Sequence, residues 1–221
     1  MGTPRTLTLD EAGLLGLRSE TKYTEQRLLA RPDLAARAAP FTALLTRIAA
    51  ATEGQLTRWD AEDAAQIRLD DLDDDLDDIV PEVSATLLRH LSGKDHPQYV
   101  AVFGTDTVSS IQRLGPESQR ARMATWPALL RPMGPDLAAL ADRLDALFAA
   151  ARTAVDAQTA AGGERASYRA GALNTLVDDL NRARQECYGG LVTLASTTGK
   201  PKGWAERFFR KQTKKKKPAE G

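Results

Sequence analysis

Apolar residues return at three- and four-residue steps along most of this chain, the period of a helix with one buried face. "TLDEAGLLGLRSE" opens the first such stretch. Thr8 is placed to cap it, and Glu11, three residues on, to complete a capping box by reaching back to the cap's own amide. This helix should run to about Ala30, where "RPD" ends it. A second starts near Asp33 or Pro40 and carries Phe41, Leu44, Ile48, Gln55 and Trp59 at helical steps. Asp60 with Asp63 offers a new cap, so a tight turn is expected near residues 58–60, followed by an acidic helix to about Leu91. Pro81 lies inside that helix and should kink or break it, because its ring clashes with the carbonyl four residues back. Without the turn, the stretch becomes one helix of about fifty residues, roughly 75 Å long at 1.5 Å per residue.

"SGKDHPQYVAVFGTD" is the clearest interruption, punctuated by Gly93, Pro97 and Gly104. "YVAVF" is the one stretch with strand character, but it has no partner strand, so a short buried helix or an extended packing segment is expected. Helices follow from about Asp106 to Leu114 and from Gly115-Pro116 toward Leu130. After "RPMGPD" a long helix carries Leu137, Leu140, Leu144, Leu147, Ala151 and Val155; "AAGGE" makes its turn, and a return helix spans about Ala166 to Ala195.

The chain also repeats itself. "PDLAARAAPFTALL" at Pro32 and "PDLAALADRLDALF" at Pro135 correspond at an offset of 103. One inserted residue makes the offset 104 thereafter, where Leu69, Leu72, Leu76, Ile79, Val83 and Leu87 fall on Leu173, Leu176, Leu180, Ala183, Cys187 and Leu191. Their common spacing puts all six on one helical face. The alternative reading is two unrelated hairpins that share a helical period. The fold expected is all-α, an elongated antiparallel bundle built from two duplicated long helical hairpins. Residues 1–199 would form the bundle, with pseudo-repeats at about 32–92 and 135–196 and a linking segment at 94–133; residues 200–221 would be a basic, partly disordered tail.

Composition supports helices, since Ala and Leu supply most of the apolar content and aromatics are few. A single cysteine, Cys187, excludes an internal disulfide framework. No N-terminal basic-then-apolar signal is present and no apolar run approaches the roughly 18 residues of a membrane span, so a cytoplasmic location is expected. Charge changes the picture more. The formal net charge is zero, yet residues 200–221 hold nine basic and two acidic residues, leaving residues 1–199 with an acidic excess of seven. Such a tail suits either its own acidic body or an external anionic partner.

"LDDLDDDLDDIV" concentrates that acidity in Asp70, Asp71, Asp73, Asp74, Asp75, Asp77 and Asp78. The second repeat keeps the leucine seam but matches only Asp74 and Asp75, with Asp178 and Asp179, so the architecture does not need the others. Neighbouring aspartates on a helix point several ways and do not converge on one ion, and the loop, sixth-position glycine and terminal glutamate of a calcium hand are missing. A solvated acidic face is the first reading, contact with a basic partner the second, and a metal or catalytic site a distant third. His90 and His96 lack the glutamate three residues earlier that a carboxylate-bridged metal in a bundle would use. Cys187 sits on the apolar seam, where a thiol behaves as a small hydrophobe with a raised pKa. Gly199-Lys200 is not a phosphate loop, because Leu194 and Pro201 stand where glycine and Ser or Thr are required. No metal, cofactor, catalytic residue or small-molecule substrate is inferred.

In "GWAERFFRKQTKKKK" the aromatics Trp204, Phe208 and Phe209 are interleaved with cations. The leading reading is that they clamp the chain end onto the bundle while the lysines keep it soluble. Arg210, Lys211, Lys214, Lys215, Lys216 and Lys217 are the candidate contacts to an anionic partner: nucleic acid first, an anionic membrane surface less so, a protein otherwise. "PQYVAVFGTDTVSSIQRLGPESQ" together with "YGGLVTLASTTGKPKGWAERFFRK" resembles uncharacterised bacterial all-helical proteins made of two long helical hairpins, with a Tyr-and-Phe linker and a closing Phe-Phe. That resemblance implies that Tyr99, Phe103, Phe208 and Phe209 are bundle contacts, and it carries no activity. The function expected is a non-enzymatic scaffold or protein–protein interaction module that self-associates or binds another protein. The runner-up is a nucleic-acid-associated protein binding through its Lys-rich tail.

Overall fold

The computed structural model describes residues 3–210, which are mostly helical and contain no strand. Helix α1 spans Leu9–Leu29, and a 3-10 turn at Ala35–Ala38 leads into α2, Ala39–His90. Four short helices follow: α3 (Pro97–Phe103), α4 (Val108–Ile111), α5 (Pro116–Met123) and α6 (Trp126–Leu130). Helix α7 (Pro135–Tyr168) passes through a π-helical turn at Arg169–Leu173 into α8 (Asn174–Thr197), and a 3-10 turn at Ala205–Phe208 closes the described chain.

Thr8 caps α1, its hydroxyl accepting the Glu11 amide at 3.4 Å. Glu11 itself does not close the box; its carboxylate pairs with Arg5. At Gly13 the backbone takes φ +60°, a conformation a Cβ disfavours, and the helix kinks there.

Two expected turns are absent. Helix α2 runs unbroken for 52 residues, roughly 78 Å at 1.5 Å per residue. Its inward positions keep steps of three and four through Phe41, Leu44, Ile48, Ala51, Gln55, Arg58, Glu62, Ala65, Leu69, Leu72, Leu76, Ile79 and Val83. The stripe does not stop at residues 58–60, so the cap offered by Asp60 and Asp63 has no helix start to serve. Arg58 faces inward there, and Trp59 is 39% exposed. "AAGGE" does not turn either. Helix α7 continues through Gly162 and Gly163, neither of which takes the positive φ of a helix-ending glycine. Each glycine costs about 1 kcal/mol relative to alanine inside a helix, which is too little to break one that long. Neither expected hairpin turns: residues 39–90 and 135–197 each stay helical throughout.

Pro81 does not end α2. A proline cannot donate to the carbonyl four residues back, which here is that of Asp77. The side chain of Gln112 does so instead, donating to the Asp77 carbonyl at 2.9 Å.

The described chain falls into two compact units: a terminal unit, Met1–Thr57 with Arg165–Gly221, and a central unit, Arg58–Glu164. In the central unit Tyr99, Phe103, Met123, Trp126, Leu137 and Leu144 pack with Leu76, Ile79, Val83 and Leu87. Tyr99 stacks on Phe103 at 4.8 Å, and its hydroxyl meets Ser84 Oγ at 2.9 Å. The terminal unit has two clusters. One joins Leu14, Leu17, Leu44 and Ile48 to Leu173, Leu176 and Leu180; the other joins Leu28, Leu34 and Phe41 to Leu191, Trp204, Phe208 and Phe209. Gln66 meets Gln158 and Glu82 meets Arg143 at 2.6 Å in the central unit; Arg47 meets Asp179 at 2.7 Å and Ala51 meets Tyr168 in the terminal one.

Candidate functional site

The acidic run lies on the central unit's share of α2. Asp70, Asp71, Asp74, Asp75 and Asp78 are exposed, and Asp70 accepts the Gln66 side-chain amide at 2.8 Å. Two members depart from a purely solvated face. Asp77 is half-buried; its carboxylate accepts from Gln119, whose amide also donates to the Ile111 carbonyl at 3.2 Å. Asp73 is also half-buried, and its Oδ1 has no hydrogen-bond partner among the described residues. Burial raises the Asp73 pKa, and the charges of Asp77, Asp74 and Asp70 push it further the same way. Among the described residues no group of three or more His, Cys, Asp or Glu side chains is placed to hold a metal ion.

The histidines do local work. His96 caps α3, its Nδ1 accepting the Gln98 amide at 3.2 Å, and His90 lies 3.8 Å from Asp136. Burial pushes the Cys187 thiol up to about 11 against the pull of Arg37, which leaves it a poor nucleophile near neutral pH.

Of the basic residues singled out from the sequence, Arg210 is exposed with its guanidinium 5.7 Å from the Tyr23 ring. Lys211, Lys214, Lys215, Lys216 and Lys217 lie outside the described residues. Just before them Trp204, Phe208 and Phe209 are 3–5% exposed, and Trp204 and Phe208 meet edge to face at 5.1 Å.

Beside that aromatic end the terminal unit holds a cleft of about 290 Å³ that sequence reasoning did not find. Arg184 stands in its wall at 3% exposure. Its Nη1 is 3.4 Å from Glu20, its guanidinium lies 5.4 Å from the Phe209 ring, and its Nε has no hydrogen-bond partner among the described residues. Burial lowers the Arg184 pKa, and Glu20 only partly offsets this. Arg5, Arg210, Tyr188 and Glu206 also line the cleft. A signal was present in "NRARQECYGGL": Arg184 lies four residues after Leu180 and three before Cys187, which puts a cation on the buried seam. The expected seam ran through Ala183, one position away.

No helix among the described residues is long and apolar enough to cross a membrane. No family model, curated protein or solved structure matches this chain.

Proposed function

We propose that this protein is a non-enzymatic helical scaffold that self-associates through oppositely charged units, built on a tandem repeat of about 103 residues. Charge segregation carries the reading. The central unit contains 10 Lys or Arg against 19 Asp or Glu, and the terminal unit contains 20 against 11, so a formally neutral chain carries −9 on one unit and +9 on the other. Two copies can set unlike units against each other in a reciprocal, closed pair. Such complementarity steers encounter and fixes register more than it adds affinity.

The repeat is supported by seven pairs of buried residues in two of the cores that correspond in sequence. Leu34, Ala38 and Phe41 match Leu137, Ala141 and Leu144 at an offset of 103; Val83 and Leu87 match Cys187 and Leu191 at 104; Tyr99 and Phe103 match Trp204 and Phe208 at 105. On the preceding helices Leu17, Thr21, Thr24, Glu25 and Leu28 share their spacing with Gln119, Met123, Trp126, Pro127 and Leu130, all buried. The π-turn at Arg169–Leu173 falls where the offset grows from 103 to 104, and such a turn is how a helix absorbs one extra residue. Each copy is then one long helical stretch with flanking short helices. Both long helical stretches contribute residues to each compact unit.

The non-enzymatic part rests on what the buried polar groups do. Asn181 both accepts from and donates to the Leu7 backbone at 2.8 Å, Glu25 binds Lys22 and Thr42 at 2.7 Å, and Gln119 joins α5 to Asp77. Each braces one segment against another.

Sedimentation velocity over a salt series tests the proposal. Association should be strongest at low salt and fall steeply toward 0.5 M, a concentration at which screening acts within about 4 Å. Converting Asp70, Asp71, Asp74, Asp75 and Asp78 to Asn should weaken it at low salt. A monomer at every salt concentration, or association indifferent to salt, would overturn it. The excess charge on the terminal unit also favours a second reading, nucleic acid as the partner. DNA anisotropy with a log–log salt slope of up to about 4–5, lost on ending the chain at Arg210, would favour that reading.

A further inference from the structure

We infer that the cleft beside Arg184 is a binding site for a small organic carboxylate with a flat apolar body. A buried guanidinium is stabilised only when its donors are well paired, because taking the charge out of water costs several kcal/mol otherwise. Arg184 is 3% exposed, yet its one ion pair is a 3.4 Å contact to Glu20, and its Nε is unpartnered among the described residues. A carboxylate matches the flat guanidinium fork, so it would supply the partners this group lacks.

The surroundings narrow the ligand. Three arginines, Arg5, Arg184 and Arg210, and two glutamates, Glu20 and Glu206, line the cleft, and Arg5 is already paired with Glu11, so the charges around the cleft balance. A balanced lining penalises a doubly charged phosphate more than a monoanion. Leu7, Tyr188 and Phe209 supply apolar walls, and a volume of about 290 Å³ holds a ligand of roughly benzoate size with room for substituents. The net positive charge of the terminal unit draws anions toward it.

The fold does not require this arginine. At the corresponding position of the proposed repeat stands Val80, fully buried in the central unit's core. An apolar residue therefore satisfies the same packing position there, and a buried ion pair replaced by apolar residues is often neutral or stabilising. This one comparison rests on the repeat; the cleft geometry does not, nor does the site depend on self-association.

The test is calorimetric titration of the full-length chain with sodium benzoate, with sodium chloride and inorganic phosphate as controls at equal ionic strength. Saturable benzoate binding is expected, with phosphate weaker. Arg184→Met, which keeps the stem and removes the donors, should lower benzoate affinity about tenfold or more while helical content is kept. Arg210→Gln should lower it less, about threefold. No saturable benzoate binding, phosphate bound tighter than benzoate, or unchanged affinity in a folded Arg184→Met variant would each overturn the proposal. Should that variant fail to fold, the Arg184 Nε–H resonance of the unmodified protein decides. It should move on titration with benzoate, and an unmoved resonance at saturation would overturn the assignment.

Discussion

The central and terminal units pack similar apolar patterns and differ in the polar residues set among them. Under the proposed repeat, Asp77 stands where the terminal unit has Asn181, Ser84 where it has Tyr188, Val80 where it has Arg184, and Gly104 where it has Phe209. Leu34, Phe41, Leu87, Tyr99 and Phe103 keep apolar counterparts in Leu137, Leu144, Leu191, Trp204 and Phe208 while these neighbours change. The apolar stripe is thus what folding requires, because burying it supplies most of the stabilisation of a helical domain. The polar residues decide what each unit presents: an acidic surface in one, a cleft with a buried arginine in the other.

The aromatic clamps offer the strongest way to break this equivalence. Phe103 is fully buried against Tyr99 and Trp126, with ring centroids at 4.8 and 4.7 Å; Phe208 is 3% exposed beside Trp204. Either Phe→Ala change should cost about 3–5 kcal/mol. Hydrogen exchange should show the loss of protection concentrated in the central unit for Phe103→Ala and in the terminal unit for Phe208→Ala. Equal loss across both units for either variant would mean that they do not open separately.

A smaller effect is expected where α2 passes Pro81. Gln112→Leu removes the donor to the Asp77 carbonyl and should cost about 1 kcal/mol in urea unfolding. In a Pro81→Ala background the restored amide serves that carbonyl, so the same change should cost much less. Equal costs in the two backgrounds would show that Gln112 does not compensate for the proline.

Much of the helix pattern was legible, and particular residues show why the rest was not. Thr8 and Pro116 mark helix starts by local chemistry that acts within a few residues, and each helix begins there or one residue on. The turns near residues 58–60 and at "AAGGE" failed because stop signals are permissive. An aspartate that can cap, or a glycine that can turn, does so only when the apolar stripe ends with it, and at both places the chain stays helical. Pro81 misled for a related reason, since its compensation comes from Gln112, 35 positions from Asp77. The acidic run was read as a surface, which five of its members are, whereas the partners of Asp77 lie on another segment. Arg184 escaped because its significance comes from Glu20, 164 positions away, and from Phe209.

The finest contrast lies in two partly or wholly buried acids, and pH separates them. Glu25, in the terminal unit, is opposed by burial, but hydrogen bonds from Lys22, Thr42 and Gln26 prevail and its pKa is lowered. Its charged form is favoured by folding, so its contribution is present above the ordinary carboxylate pKa and is lost as pH falls through the lowered folded value. Asp73, in the central unit, is raised by burial and by its aspartate neighbours. The folded state then holds the Asp73 proton more tightly than the unfolded one. Its sign is reversed: stability falls as pH climbs from the ordinary aspartate pKa of about 3.9 through the raised folded value, and stays lower above it. Asp73→Asn, which also relieves repulsion on its neighbours, should therefore raise the thermal midpoint slightly at pH 7, with the gain vanishing below about pH 4. Glu25→Gln should do the opposite, lowering the midpoint at pH 7 and losing its effect in acid. Thermal unfolding of both variants between pH 3 and 7 reads the two signs together. A gain from Asp73→Asn that persists at pH 3 would trace to local packing and remove the electrostatic account of that position.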